Sequence, residues 1–91
     1  MRILRRAAGY GDNATRFARY LGWEPTALGN YESGFRRVPR DAALLLYRKI
    51  AGFDPLWLWT GEKRGLGFDL LKRIEEAEAE EFENDGDTGQ P

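Results

Sequence analysis

The chain contains no cysteine and no histidine in its 91 residues. Without cysteine there is neither a disulfide framework nor a thiolate metal site, and without histidine the commonest catalytic base and metal ligand is missing. No nucleophile–base pair stands out either. The carboxylates clustered from Glu75 to Asp87 have nothing to preorganise them for more than loose binding of divalent cations. These absences predict a protein that is not an enzyme and needs no metal or cofactor. No apolar run approaches the roughly 18 residues that a membrane span requires. The opening Met-Arg-Ile-Leu-Arg-Arg-Ala-Ala lacks the apolar core of a signal peptide. The expectation is a cytoplasmic protein with no membrane partner. A chain of this length holds one compact domain with a small core, which a second copy would help to stabilise.

Charge of one sign is scarce on average and abundant locally. The formal net charge is −1, yet residues 1 to 64 carry 12 Arg/Lys against 6 Asp/Glu, whereas residues 65 to 91 carry 2 against 9. The sequence therefore divides into a basic domain, 1–64, and an acidic C-terminal helix and disordered tail, 65–91. A basic face is the electrostatic footprint of a nucleic-acid binder, while an acidic terminal extension is usually solvated.

The segment from Asn13 to Gly34 carries the most specific pattern. Ala14, Phe17, Ala18 and Leu21 fall at i, i+3, i+4 and i+7, one apolar face of a helix. Asn13 suits the N-cap of that helix, and Gly22 suits its end, where glycine takes a positive φ without a Cβ clash. Trp23 occupies a tight turn, and Pro25 suits the first turn of a second helix, Glu24 to Glu32, with Ala27, Leu28 and Tyr31 inward and Gly34 as a stop. Two short helices joined in this way form a helix-turn-helix, whose second helix enters the major groove of duplex DNA.

Further along, Arg40 to Ile50 predicts a fourth helix with Ala42, Leu45, Leu46 and Ile50 toward the core, stopped by Gly52. Asp54-Pro55 opens a fifth, with the Asp54 carboxylate as N-cap. Leu56, Trp57, Leu58 and Trp59 are too many apolar residues for one face of so short a helix. Trp57 and Trp59 are therefore candidate homodimer contacts, the alternative being that both complete the domain's own core. A sixth helix, about Asp69 to Glu83, carries Leu70, Leu71, Ile74, Ala77 and Phe82 on a ragged stripe among acidic residues.

Residues 2 to 61 resemble the Xre/Cro/CI type of bacterial and phage DNA-binding domain, the class of lambda repressor. The resemblance rests on the two motif helices and their Gly22-Trp23 turn, on Asn30-Tyr31-Glu32-Ser33-Gly34, on the basic loop Phe35 to Arg40, and on the closing Gly52-Phe53-Asp54-Pro55-Leu56-Trp57-Leu58-Trp59-Thr60-Gly61. Their order and spacing make the signal. Ala14 stands where many relatives carry a phosphate-binding glutamine, and Gly11-Asp12 lengthens the preceding loop. The resemblance implies an all-α fold, a five-helix lambda-repressor-like helix-turn-helix domain followed here by the acidic segment. It also implies that Glu32 pairs with an arginine of the first helix, Arg6 or Arg5, with Arg6 as the first choice, and braces the motif.

On the second motif helix the outward face should include Thr26, Gly29, Asn30 and Ser33, the candidates for base readout. Asparagine makes a bidentate contact to the N6/N7 edge of adenine, and a threonine methyl meets the methyl of thymine. Arg36, Arg37 and Arg40, on the loop beyond that helix, are placed to reach the DNA backbone. Asn13 and Arg16 form a second backbone candidate at a helix N-terminus. The sequence thus points to a transcriptional regulator that binds an operator in double-stranded DNA as a homodimer, with RNA polymerase or another regulator as a further partner. The alternative is a protein-interaction module, such as an antitoxin or an antagonist of another regulator, acting through the same fold or the acidic tail. A cut near Arg64 would be the natural way to tell them apart.

Overall fold

The computed structural model describes residues 1–88, with side chains as far as Glu81. Its elements, in order, are α1 Arg2–Ala7, α2 Ala14–Leu21, α3 Pro25–Glu32, α4 Arg40–Lys49, α5 Pro55–Thr60 and α6 Phe68–Thr88, with no strand among the described residues. The chain is all-helical, as its hydrophobic periodicities require. Helix α6 runs to Thr88, past the expected end at Glu83, so residues 84–88 of the expected disordered tail are helical, and its remainder, residues 89–91, lies outside the described residues.

One core gathers from every helix. Leu4 of α1, Phe17, Ala18 and Leu21 of α2, Leu28 of α3, Ala43 and Leu46 of α4, Trp57 of α5, and Leu70 and Ile74 of α6 form a single buried cluster. Phe17, Leu4, Leu21, Leu28, Leu46 and Ile74 are its largest fully buried side chains. The apolar phase assigned to α2 matches its buried face; on α6 Leu70, Ile74 and Ala77 are buried and Leu71 is half-buried, while the expected Phe82 lies outside the residues whose side chains are described. Toward the end of α4 two of the four expected core residues, Leu46 and Ile50, are buried as expected, and the other two are not. Ala43, Leu46 and Ile50 are buried, while Ala42 and Leu45 are only half-covered at the edge of the core. The error arose because α4 offers two overlapping apolar stripes, and only the position of α2 and α5 decides between them.

The helix ends follow local chemistry. The Asp54 carboxylate accepts a hydrogen bond from the Leu56 amide at 3.3 Å, and Pro55 follows at the first helical position. Between α5 and α6 the chain folds back tightly. The Gly67 amide donates to the Gly52 carbonyl at 2.8 Å. A Cβ on Gly67 would lie 2.9 Å from the Gly52 Cα, so only two glycines permit this approach. The crossing fixes where α6 begins.

Helix α6 then packs along α1 in the antiparallel sense. Arg2, at the start of α1, pairs with Glu81, whereas Ala7 and Ala8, at its end, share a hollow with Leu70 and Arg73. Leu70, Ile74 and Ala77 are buried on the face toward the domain. The change of charge sign after Arg64 is thus not a change of packing unit, since an acidic helix completes the core of a basic one. A cut at Arg64 would strip Leu66, Leu70 and Ile74 from that core, so it tests folding and not the acidic charge.

Because Ile74 is fully buried, Ile74→Ala should destabilise the protein by about 2–5 kcal/mol, on the scale of a large-to-small substitution in a well-packed core. Chemical denaturation checks this. A loss much below 1 kcal/mol would mean that α6 is not part of the folded core in solution.

Candidate nucleic-acid interface

The packing sets α2 and α3 against each other as a consecutive pair. Asn13 caps α2, its side-chain oxygen accepting a hydrogen bond from the Arg16 amide at 3.0 Å. Gly22 ends α2 in the left-handed conformation at φ 76°, and its amide and that of Trp23 return to carbonyls of the last turn. Trp23 packs edge-on against Tyr31 of α3, with ring centroids 5.4 Å apart. Leu28 is the one fully buried residue of α3, while Ala27 and Tyr31 are half-buried. Asn30 and Glu32 are half-buried as well, so the exposed face of α3 is the strip made by Pro25, Thr26 and Gly29, with Asn30 at its margin.

The far end of α3 is tied down by charge. Arg5 Nη1 donates to both carboxylate oxygens of Glu32, at 2.5 and 2.7 Å, and Arg5 Nε donates to the Gly11 carbonyl at 2.8 Å. Only 8 % of the Arg5 side chain and 13 % of the Glu32 side chain remain exposed. Removal of one partner would strand a buried charge, which costs about 3–5 kcal/mol. Beside the pair, burial holds the Met1 amine below its ordinary value of 8.0, with the Glu32 carboxylate opposing that shift.

This arrangement corrects the expected brace. Glu32 is held by Arg5, not by Arg6. Successive helical residues point about 100° apart, and Arg6 lies on the side of α1 that faces α6. There it shares a hollow with Glu76 and Glu80 and makes a 3.4 Å pair with Asp12, an almost fully exposed carboxylate. The sequence supplied an Arg5-Arg6 pair, and only the placement of α3 distinguishes its members.

Thr26 and Gly29 are exposed on α3, with open space around the Gly29 Cα, and Asn30 is half-buried. Ser33 is exposed, but its hydroxyl is already engaged: it donates to the Asn30 carbonyl at 3.2 Å and accepts from the Phe35 amide at 3.4 Å. Its local role is to end α3. The Arg36 amide also donates to the Asn30 carbonyl, at 3.2 Å, so the loop beyond α3 is folded against the last turn. Arg36, Arg37 and Arg40 are exposed on and just after that loop, and Arg16 is exposed on α2. None of these four is ion-paired among the described residues, which leaves their guanidinium groups available to an anion.

The tryptophans divide. Trp57 is 8 % exposed and packs in the core, which removes it from the expected dimer contact. A six-residue helix turns one of two residues spaced by two inward, and Trp57 is aligned with the core. Trp59 is 41 % exposed, although its indole N–H donates to the Val38 carbonyl at 3.1 Å. Leu56 on the same helix and Leu44 and Tyr47 on α4 are exposed too.

No family model, curated protein or solved structure matches the chain. Its site therefore rests on its own geometry. Two features of that geometry escaped the sequence. Phe35 is 77 % exposed in the midst of the basic loop, although its apolar side chain next to Arg36 and Arg37 was a visible signal. Tyr20 and Lys49 clasp α2 to the end of α4, the tyrosine hydroxyl donating to the Lys49 carbonyl at 2.9 Å and the lysine amine to the Tyr20 carbonyl at 3.0 Å. No sequence pattern announces that contact.

The brace assignment is testable by stability. Arg5→Ala should lower the thermal midpoint by more than 10 °C, taking about 3–5 kcal/mol at about 4–8 °C per kcal/mol for a domain of this size. Arg6→Ala, which loses one 3.4 Å pair to the almost fully exposed Asp12, should cost clearly less, about 1 kcal/mol. Equal losses, or a greater loss for Arg6→Ala, would refute the assignment.

Proposed function

We propose that the protein is a sequence-specific regulator that binds double-stranded DNA through α3, in a lambda-repressor-like helix-turn-helix arrangement. The observation that carries this reading is the combination of an exposed α3 face with four exposed arginines on α2 and on the loop after α3, none of them ion-paired among the described residues. A helix anchored by one stripe and braced at its end presents a rigid cylinder of the width a major groove accepts. Arginines that are already solvated and unpaired give up little to meet phosphates, and each contact releases condensed counterions.

In this reading Thr26, Gly29 and Asn30 face base edges. Asn30 is the principal reader through its amide, and Gly29 lets the backbone approach the groove closely. Arg36, Arg37 and Arg40 grip the phosphates flanking the α3 end. Arg16 and the N-terminus of α2 hold phosphate at the other end of the motif, with the Asn13 side chain fixing the helix that presents those amides. Ser33 contributes by shaping the loop and not by reading a base.

The protein docks as a homodimer on two half-sites about one helical turn apart. The exposed apolar residues Leu56 and Trp59 of α5 supply the surface that a second copy would cover. Occupancy of an operator would then repress an overlapping promoter or bring RNA polymerase to a neighbouring one.

Selection from a random duplex pool at physiological salt tests the function. Wild type should enrich an inverted repeat, and Asn30→Ala should relax preference at one base of each half-site by about 1–3 kcal/mol. Arg37→Gln should weaken binding to all sequences alike and reduce the slope of log affinity against log salt by about 1. An unenriched pool from wild type would reject sequence-specific binding. For the dimer, Leu56→Glu should shift sedimentation toward the monomer with the thermal transition of the monomer intact. An unchanged mass distribution would reject the α5 face.

A further inference from the structure

Phe35 is the least explained side chain near the interface. It is 77 % exposed, belongs neither to the core nor to the partly buried residues packed against it, and makes no aromatic pair among the described residues. Its backbone is nonetheless well fixed. The Phe35 amide donates to the Ser33 hydroxyl, that hydroxyl donates to the Asn30 carbonyl, and the Arg36 amide donates to the same carbonyl. The chain thus holds an apolar ring in solvent on a loop whose backbone is tied to the Asn30 carbonyl, with the ordering of that backbone already accomplished.

What covers such a ring is constrained by its surroundings. Arg36 and Arg37 follow it directly, Arg40 lies close in sequence, and all three are exposed and unpaired among the described residues. A partner that approaches here must carry dense negative charge and yet offer an apolar surface next to it. Within a major groove, the C5-methyl group of thymine is the apolar feature that lies among phosphates and base edges, and phenylalanine is one of the side chains that contacts it.

Resting on the DNA-binding reading above, we infer that Phe35 is a specificity-determining residue that packs against a thymine methyl at the edge of each half-site, next to the base pair read by Asn30. The loop therefore does more than grip phosphate. It extends readout beyond the end of α3, and Ser33 serves that readout by holding Phe35 in place.

The test uses the full chain and the duplex enriched by wild type, with each thymine replaced in turn by deoxyuridine, which lacks only the methyl. One replacement per half-site should weaken wild-type binding about fourfold, the value of about one buried methyl group. Phe35→Ala should bind the unmodified duplex about tenfold or more weakly, with an unchanged thermal midpoint, and should be indifferent to that same replacement. Phe35→Leu should restore part of the affinity. Equal affinity of wild type and Phe35→Ala overturns the inference and leaves DNA binding intact. A loss for Phe35→Ala that no deoxyuridine position reproduces overturns the methyl contact, as does a loss explained by dissociation of a dimer. Failure of wild type to enrich any duplex removes both the inference and the reading beneath it.

Discussion

The buried contact between Arg5 and Glu32 is the constraint on which the geometry of the candidate interface depends. It joins three parts of the chain that are distant in sequence: α1 through the arginine, the loop before α2 through the Gly11 carbonyl, and the end of α3 through the carboxylate. Taking two charges out of water is costly, and such a pair is favourable over its separated partners only when the remaining hydrogen-bonding positions are also used. Arg5 meets that condition by using both Nε and Nη1. The pair contributes position more than net stability: α3 has only Leu28 fully buried, so without a polar tether its far end would have little to fix it.

Everything beyond Glu32 inherits that placement. The Asn30 carbonyl receives both the Ser33 hydroxyl and the Arg36 amide, which folds the following loop against the helix end. The protein thus uses arginine in two distinct ways. Arg5 is buried and hydrogen-bonded through Nε and Nη1, and it works as structure. Arg36, Arg37 and Arg40 are exposed and, among the described residues, unpaired, and their charge is available to a partner. Guanidinium suits both uses because it stays charged in either setting and offers several donors in a plane.

Charge and packing are independent in α6. Its acidic residues set the sign of the C-terminal segment, but its attachment comes from Leu70, Ile74 and Ala77 and from the close crossing of Gly52 and Gly67. The ion pairs along its flank, such as Lys63–Glu78 at 2.6 Å, are substantially exposed and contribute little beside that burial. A basic domain and an acidic segment, distinct by composition, therefore share a single hydrophobic core.

The sequence by itself determined what depends on near neighbours. Asn13 and Gly22 delimit α2, Pro25 opens α3, and Asp54-Pro55 opens α5, because caps and turns are settled within a few residues by hydrogen-bond chemistry and allowed φ values. The apolar stripe of α2 was legible for the same reason. Only the tertiary structure could decide choices between adjacent residues on one helix: Arg5 over Arg6 against Glu32, Ala43 over Ala42 in the core, and Trp57 inward with Trp59 at the surface. Each choice turns on a rotation of about 100° or 200° relative to a neighbour that lies far away in the chain. The engagement of Ser33 and the exposure of Phe35 belong to the same class. A local pattern specifies that a helix has a buried face, but which residues compose it depends on where the other helices come to rest.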